Sequence, residues 1–66
     1  MKITNKCDDS IIIKVEGYTY VLRNNDSIEP NHIGVMYRFY NKDQIITLRL
    51  DEGNFVLDKL GLRVVY

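Results

Sequence analysis

The most informative absence is alanine, which does not occur once among the 66 residues. Alanine is the strongest helix former, whereas Ile, Val and Tyr, which are plentiful here, favour strands. The composition therefore argues against any sizeable helix. No apolar run approaches the roughly 20 residues needed to cross a bilayer, so a membrane is not expected among the partners.

Cysteine and histidine occur once each, as Cys7 and His32. A lone cysteine forms no disulfide within the chain, and the two residues are too few to build a zinc site. We therefore expect no metal and no cofactor. Residues 1–9 lack the apolar core of a secretory signal, so a cytoplasmic location is expected, which suits a free thiol.

Catalytic residue types are scarce and poorly arranged. Cys7 is followed by Asp8 and Asp9, whose carboxylates disfavour a thiolate and so raise the pKa of the thiol. No serine lies in a Gly-x-Ser-x-Gly turn, and the four glycines are isolated rather than grouped in a phosphate-binding loop. The sequence thus predicts no catalytic residue, and we expect that the chain is not an enzyme.

Charge of one sign is not in excess, because nine Lys and Arg balance nine Asp and Glu. Nucleic-acid-binding domains usually carry a basic surplus, so the balance favours protein over nucleic acid as the partner. Apolar residues make up 45% and charged residues 27% of the chain, which is typical of a folded globular protein. We expect residues 1–66 to form a single domain.

Alternation of apolar and polar residues predicts a first hairpin over residues 11–23. Gly17 supplies the positive φ that a tight turn at Glu16-Gly17 requires. The register that keeps the apolar side chains on one side of the sheet places Val15 opposite Tyr18, Ile13 opposite Tyr20 and Ile11 opposite Leu22.

A second hairpin is predicted from a strand over residues 33–40, a turn at Lys42-Asp43 and a strand over residues 44–50. Its register places Phe39 opposite Ile46, Tyr37 opposite Leu48 and Val35 opposite Leu50. A third hairpin is predicted at Glu52-Gly53, with Leu50 against Phe55 and Leu48 against Leu57.

Shorter strands complete the predicted fold. They cover residues 27–29 and 60–66, with a bend at Asp58-Lys59, and residues 2–5 are expected to add an edge strand. The fold class is therefore all-β, a small antiparallel meander of six or seven short strands that closes into a compact barrel or a two-sheet sandwich.

The side of the strands that should face water carries an unusual number of apolar residues. A sheet with one solvated face normally shows polar residues there. An apolar set rimmed by charges is instead typical of a protein interface. The outward apolar positions are Ile12, Val21, Met36, Tyr40, Ile45, Val56 and Val65, and the predicted protein-binding residues are Ile12, Val21, Met36, Arg38, Tyr40, Ile45 and Arg49.

These patterns lead to a non-enzymatic protein-binding or self-associating module. The partner is another protein or a second copy, and a homodimer would have its two-fold axis through Ile12 and Met36. The composition, rich in Ile, Asn, Lys and Tyr, also suits a phage or mobile-element protein that binds and blocks another protein.

The alternative is a small β-barrel that binds single-stranded nucleic acid, since such domains stack bases on aromatic side chains. Tyr40 and Arg38 would make the contacts. The predicted registers turn most of the other aromatic residues toward the core, which weighs against this alternative. Those residues are Tyr18, Tyr20, Tyr37 and Phe39.

Overall fold

The computed structural model describes residues 1–65, so the predicted strand residue Tyr66 lies outside the described part. The described residues form strands, turns and loops, and none of them lies in a helix that could cross a membrane. The all-β prediction is confirmed. The strands are β1 (Lys2–Asn5), β2 (Ile11–Val15), β3 (Tyr18–Leu22), β4 (Ser27–Ile28), β5 (Val35–Tyr40), β6 (Ile45–Leu50), β7 (Asn54–Asp58) and β8 (Gly61–Val65).

The eight strands form two four-stranded sheets that pack as a sandwich. Sheet I has the strand order β4-β1-β7-β8 and sheet II has the order β3-β2-β5-β6. Each strand of sheet II turns its alternate residues inward, as the burial pattern of β2 shows. The buried apolar core consists of Ile3, Ile11, Ile13, Val15, Leu22, Tyr37, Phe39, Leu50, Phe55 and Leu57.

Both hairpins of sheet II have the predicted register. Val15 pairs with Tyr18 across the β2–β3 turn, and Phe39 pairs with Ile46 in the β5–β6 hairpin. Glu16 and Gly17 have φ values of 47° and 82°. Positive φ at both central residues defines the two-residue turn whose twist matches that of the flanking strands.

The predicted third hairpin is wrong. β6 and β7 lie in different sheets, so Leu50 does not pair with Phe55. Gly53 has φ 149° where Gly17 has 82°, and the segment after β6 carries the chain across the sandwich. Phe55 and Leu57 still point into the core, because the period of two is kept whichever strand is the neighbour.

The N-terminal strand is not an edge strand, contrary to expectation. β1 lies inside sheet I, antiparallel to β4 and parallel to β7, with Ile3 opposite both Ile28 and Phe55. The sheet is therefore mixed, and the strands within residues 1–65 number eight rather than six or seven. Sequence patterns did not indicate this pairing, because its two strands are about 50 residues apart.

Three smaller expectations also differ. β5 begins at Val35, and Ile33 is exposed in the preceding loop. The β7–β8 turn is at Lys59-Leu60, so Leu60 is 82% exposed and not part of a strand. Tyr18 is on the inward side of β3 but is 58% exposed, because it lies at the end of an edge strand.

A buried asparagine ties the two sheets together. Asn5 is fully buried at the end of β1, and its amide nitrogen donates to the carbonyls of Asp9 and Leu22, both at 3.0 Å. Its side-chain oxygen accepts from the backbone N–H of Cys7 at 2.8 Å. The loop from β1 to β2 is thus fixed against the end of β3.

Candidate protein-binding face

The outward side of sheet II carries a continuous row of apolar side chains. Ile12 of β2 lies opposite both Val21 of β3 and Tyr40 of β5, and Tyr40 lies opposite Ile45 of β6. Since neighbouring strands are about 4.8 Å apart, this apolar row extends about 14 Å across the sheet. Ile12 is 40%, Val21 64% and Ile45 66% exposed, while Tyr40 is half-buried.

A cationic row runs beside the apolar row, two residues further along each strand. Lys14 lies opposite both Thr19 and Arg38, and Arg38 lies opposite Thr47. The ammonium of Lys14 is 5.5 Å from the centre of the Tyr40 ring, so its side chain reaches from the cationic row to the apolar row. Lys14 therefore belongs to the candidate site, although it was not among the predicted protein-binding residues.

The remaining predicted site residues lie at the far end of the same face. Met36 pairs with Arg49, and the cationic row separates both from the apolar row. Along β5, Met36 is four residues from Tyr40, or about 13 Å. All seven predicted residues thus share the outer face of sheet II, but they do not form one patch. A two-fold axis through Ile12 and Met36 would bring the cations of two copies together.

The outer face of sheet I is different in character. Thr4 and Ser27 are hydrogen-bonded through their hydroxyls at 2.7 Å, and Arg63 forms an ion pair with Asp58. Val56 lies between Thr4 and Arg63 in the sheet and is half-buried. The outward residues Val56 and Val65 therefore belong to the opposite side of the molecule and not to the candidate face.

Charge is distributed unevenly even though the chain is neutral. The four strands of sheet II contain Lys14, Arg38 and Arg49 and no Asp or Glu. Arg49 has a carboxylate partner beyond the strand end, Asp51, at 3.6 Å. The balance counted over the sequence thus hides a sheet face that is basic and apolar.

An open cleft of about 460 Å³ lies at one end of the sandwich, beside Cys7. Burial raises the pKa of the Cys7 thiol, and the carboxylates of Asp58, Asp8 and Asp9 raise it further. The predicted direction of the shift is confirmed, with Asp58 as a contributor that sequence spacing did not reveal. Such surroundings oppose formation of the thiolate that a nucleophile needs.

The single histidine lies in the loop before β5. The ring centre of His32 is 5.1 Å from that of Tyr18, and its carbonyl accepts a hydrogen bond from the Tyr37 hydroxyl. Within residues 1–65, no three His, Cys, Asp or Glu side chains are grouped so that they could hold a metal ion.

Comparison with protein-family models, with curated proteins and with solved structures found no match to this chain.

Proposed function

We propose that this protein is a non-enzymatic binding domain whose outer face of sheet II docks onto an acidic surface of a partner protein. The observation that carries the proposal is the apolar row, which crosses all four strands and is bordered by Lys14 and Arg38. Scattered exposed apolar residues are normal on a protein, whereas a contiguous row beside charged residues resembles an interface core with its rim.

Charge complementarity supports an acidic partner. The strands of sheet II present cations without carboxylates, and complementary potentials favour encounter and orientation of the partner. A second copy placed about an axis through Ile12 and Met36 would meet like charges instead. The face thus suits a different protein, with carboxylates around an apolar centre, better than it suits itself.

Single-stranded nucleic acid is the second candidate, since phosphates would also be attracted to Lys14 and Arg38. Base recognition usually relies on several exposed aromatic rings. Within residues 1–65, Tyr40 is the only aromatic residue on the outer face of sheet II. It is half-buried, and the ammonium of Lys14 lies over its ring. This arrangement offers no platform for successive bases, so we favour the protein partner.

The test is photo-crosslinking from the face followed by binding with purified proteins. A benzophenone amino acid replaces Val21 in one variant and Val65 in a control. Each variant is crosslinked in living cells, and the crosslinked proteins are identified by mass spectrometry. Each candidate partner is then purified and titrated with wild-type protein. Ile12→Asp, and Lys14→Glu together with Arg38→Glu, should each weaken binding at least about tenfold.

Val65→Asp is the matched control, because Val65 is 45% exposed on the outer face of sheet I and Ile12 is 40% exposed. It should leave binding unchanged. If Ile12→Asp and the double charge reversal bind as wild type does, the face is not the docking surface. Salt-sensitive binding of a thymidine 20-mer at low ionic strength, lost on the double reversal, would favour the nucleic-acid candidate.

A further inference from the structure

β6 is an edge strand, and its free edge carries backbone groups available for another strand. The N–H of Asn41 donates to the carbonyl of Gln44 at 3.0 Å, which closes the β5–β6 turn. In an antiparallel ladder, alternate residues direct their backbone groups to opposite sides. Every second residue after Gln44 therefore faces β5, and the backbone groups of Ile45, Thr47 and Arg49 point away from the sheet.

The three other edges are less suited to accept a strand. β4 has two residues and is followed closely by Pro30. By the same alternation, β3 and β8 each have two residues whose backbone groups point away from the sheet at its free edge, compared with three in β6. Symmetric pairing of β8 would also set Arg63 directly opposite its own copy, which is unfavourable.

β6 also lacks the usual protection of an edge strand. Natural edges are blunted by charged side chains, proline, bulges or short length, whereas β6 reads Ile-Ile-Thr-Leu-Arg-Leu over six residues, with Arg49 as its one charge. Its inward side chains Ile46 and Leu48 are packed against the core but half-buried, so part of their apolar surface stays in contact with water.

We propose that a second copy of this chain binds antiparallel along β6, with Thr47 opposite Thr47 of the second copy. This register sets Ile45 opposite Arg49 in both directions. Ile45, Thr47 and Arg49 of the two copies form three pairs. Each pair exchanges two backbone hydrogen bonds, so the strands form about six. Shifting the register by two residues leaves fewer pairs within the strands.

The side chains fit the same register. On the inward side, Ile46 lies opposite Leu48 of the second copy, so each covers apolar surface that the monomer exposes. On the outward side, threonine faces threonine, a favourable cross-strand pair.

The two-fold axis of this pairing is perpendicular to the sheet. Both outer faces of sheet II then lie on the same side of one eight-stranded sheet. The dimer is independent of the proposed function, because it pairs backbone groups at the edge of β6, whereas docking uses side chains on the outer face of sheet II. Ile45 is the one residue of the apolar row that lies on β6. Ile12→Asp should leave dimerisation unchanged, whereas a block at Thr47 should leave each face able to bind its partner.

The experiment combines sedimentation with amide hydrogen exchange. At concentrations up to about 1 mM, wild-type protein should sediment with twice its monomer mass of 7.8 kDa. As the dimer forms, exchange at the amides of Ile45, Thr47 and Arg49 should slow about tenfold. The amides of Ile46 and Leu48, which face β5, should be protected at every concentration.

Thr47→Pro removes an outward N–H without breaking the β5–β6 ladder, and should give a monomer. Thr47→Lys is a second variant, which places two like charges at the two-fold axis and does not depend on the backbone tolerating proline. Thr19→Lys on the β3 edge is the matched control and should remain dimeric.

Several results would overturn the proposal. Wild-type protein that stays monomeric at about 1 mM has no such dimer. A dimer that persists in Thr47→Lys uses another surface, as does a dimer whose Ile45, Thr47 and Arg49 amides exchange as fast as those of the monomer. Loss of the dimer in Thr19→Lys alone would move the interface to β3.

Discussion

The side-chain amide of Asn5, at the end of β1 in sheet I, donates a 3.0 Å hydrogen bond to the carbonyl of Leu22, at the end of β3 in sheet II. A second bond to Asp9 and one accepted from Cys7 complete its hydrogen bonding. In the part of the chain that the structure describes, no buried polar side-chain atom lacks a partner. The contact between the sheets at this end is thus polar and fully satisfied.

Replacing Asn5 should therefore be severe. Asn5→Ala leaves three backbone groups without their partner, and we expect the free energy of unfolding to fall by about 3 kcal/mol. Urea unfolding followed by circular dichroism measures this, since the chain has no tryptophan. The control is Thr4→Ala, which removes an exposed hydroxyl contact and should lower stability by less than about 1 kcal/mol. Equal effects of the two changes would contradict this role of Asn5.

The hairpin registers could be predicted from sequence because their determinants are local. In the β2–β3 hairpin, the turn residues Glu16 and Gly17 and the period of two together permit one register that buries Ile13 with Tyr20. The Glu52-Gly53 pair looks the same in sequence, yet β6 and β7 lie in different sheets. A dipeptide suggests a turn, but it does not decide which sheet receives the next strand.

The candidate face could be predicted in part for the same reason. Alternation assigned Ile12, Tyr40 and Met36 to an outward side, and all three lie on the outer face of sheet II. Strand order is a long-range property, so the placement of β2 beside β5 was not predicted. That order is what joins Ile12 to Tyr40 and leaves Met36 beyond the cationic row. Asn5 was missed altogether, because its partners are distant in sequence or lie in loops.

Glu16 offers a test of the first turn. Its φ of 47° is in the left-handed region, which disfavours most side chains and which asparagine tolerates better. Glu16→Asn should therefore raise the free energy of unfolding by about 0.5 to 1 kcal/mol. Glu52→Asn changes the other Glu-Gly pair, where Glu52 is not in that region, and should not stabilise. Thermal unfolding measures both variants. Glu52→Asn should lower stability slightly, because the Glu52 carboxylate accepts from the N-terminal ammonium at 3.1 Å.

Tyr37 should make stability fall at alkaline pH. Burial raises the pKa of its phenol, with a further contribution from Tyr20, and the hydroxyl donates to the carbonyl of His32. The unfolded chain releases this proton near pH 10 while the folded protein still holds it. Above that pH the unfolded state binds fewer protons, so stability is lost as the pH rises.

Tyr37→Phe is the variant that tests this linkage. At pH 7 it should be about 1 kcal/mol less stable, because the hydrogen bond is lost. Above pH 10 its stability should fall less steeply with rising pH than that of wild type. Urea midpoints across this range give both quantities. A profile parallel to wild type would show that Tyr37 titrates in the same way in both states, and Tyr18→Phe controls for loss of an exposed hydroxyl.

Cys7 provides a local probe of the charges around the cleft. Its sulfur is 3.8 Å from the carbonyl of Leu57, and burial followed by Asp58 raises the pKa of the thiol. Because alkylation requires the thiolate, iodoacetamide should reach its half-maximal rate at a higher pH with folded protein than with protein in urea. Asp58→Asn keeps an oxygen that accepts from the Leu60 N–H but removes the charge. It should lower the thiol pKa and raise the rate at pH 8 about twofold.

The matched control is Asp43→Asn, since Asp43 lines the same cleft but does not contribute to the pKa shift of Cys7. Its alkylation rate should equal that of wild type. A rate increase in both variants would mean that the net charge of the cleft controls the thiol. An increase in neither would mean that the charge of Asp58 does not act on the thiol. A faster alkylation rate in Asp58→Asn alone is the expected result, because the carboxylate of Asp58 acts directly on the thiol at short range.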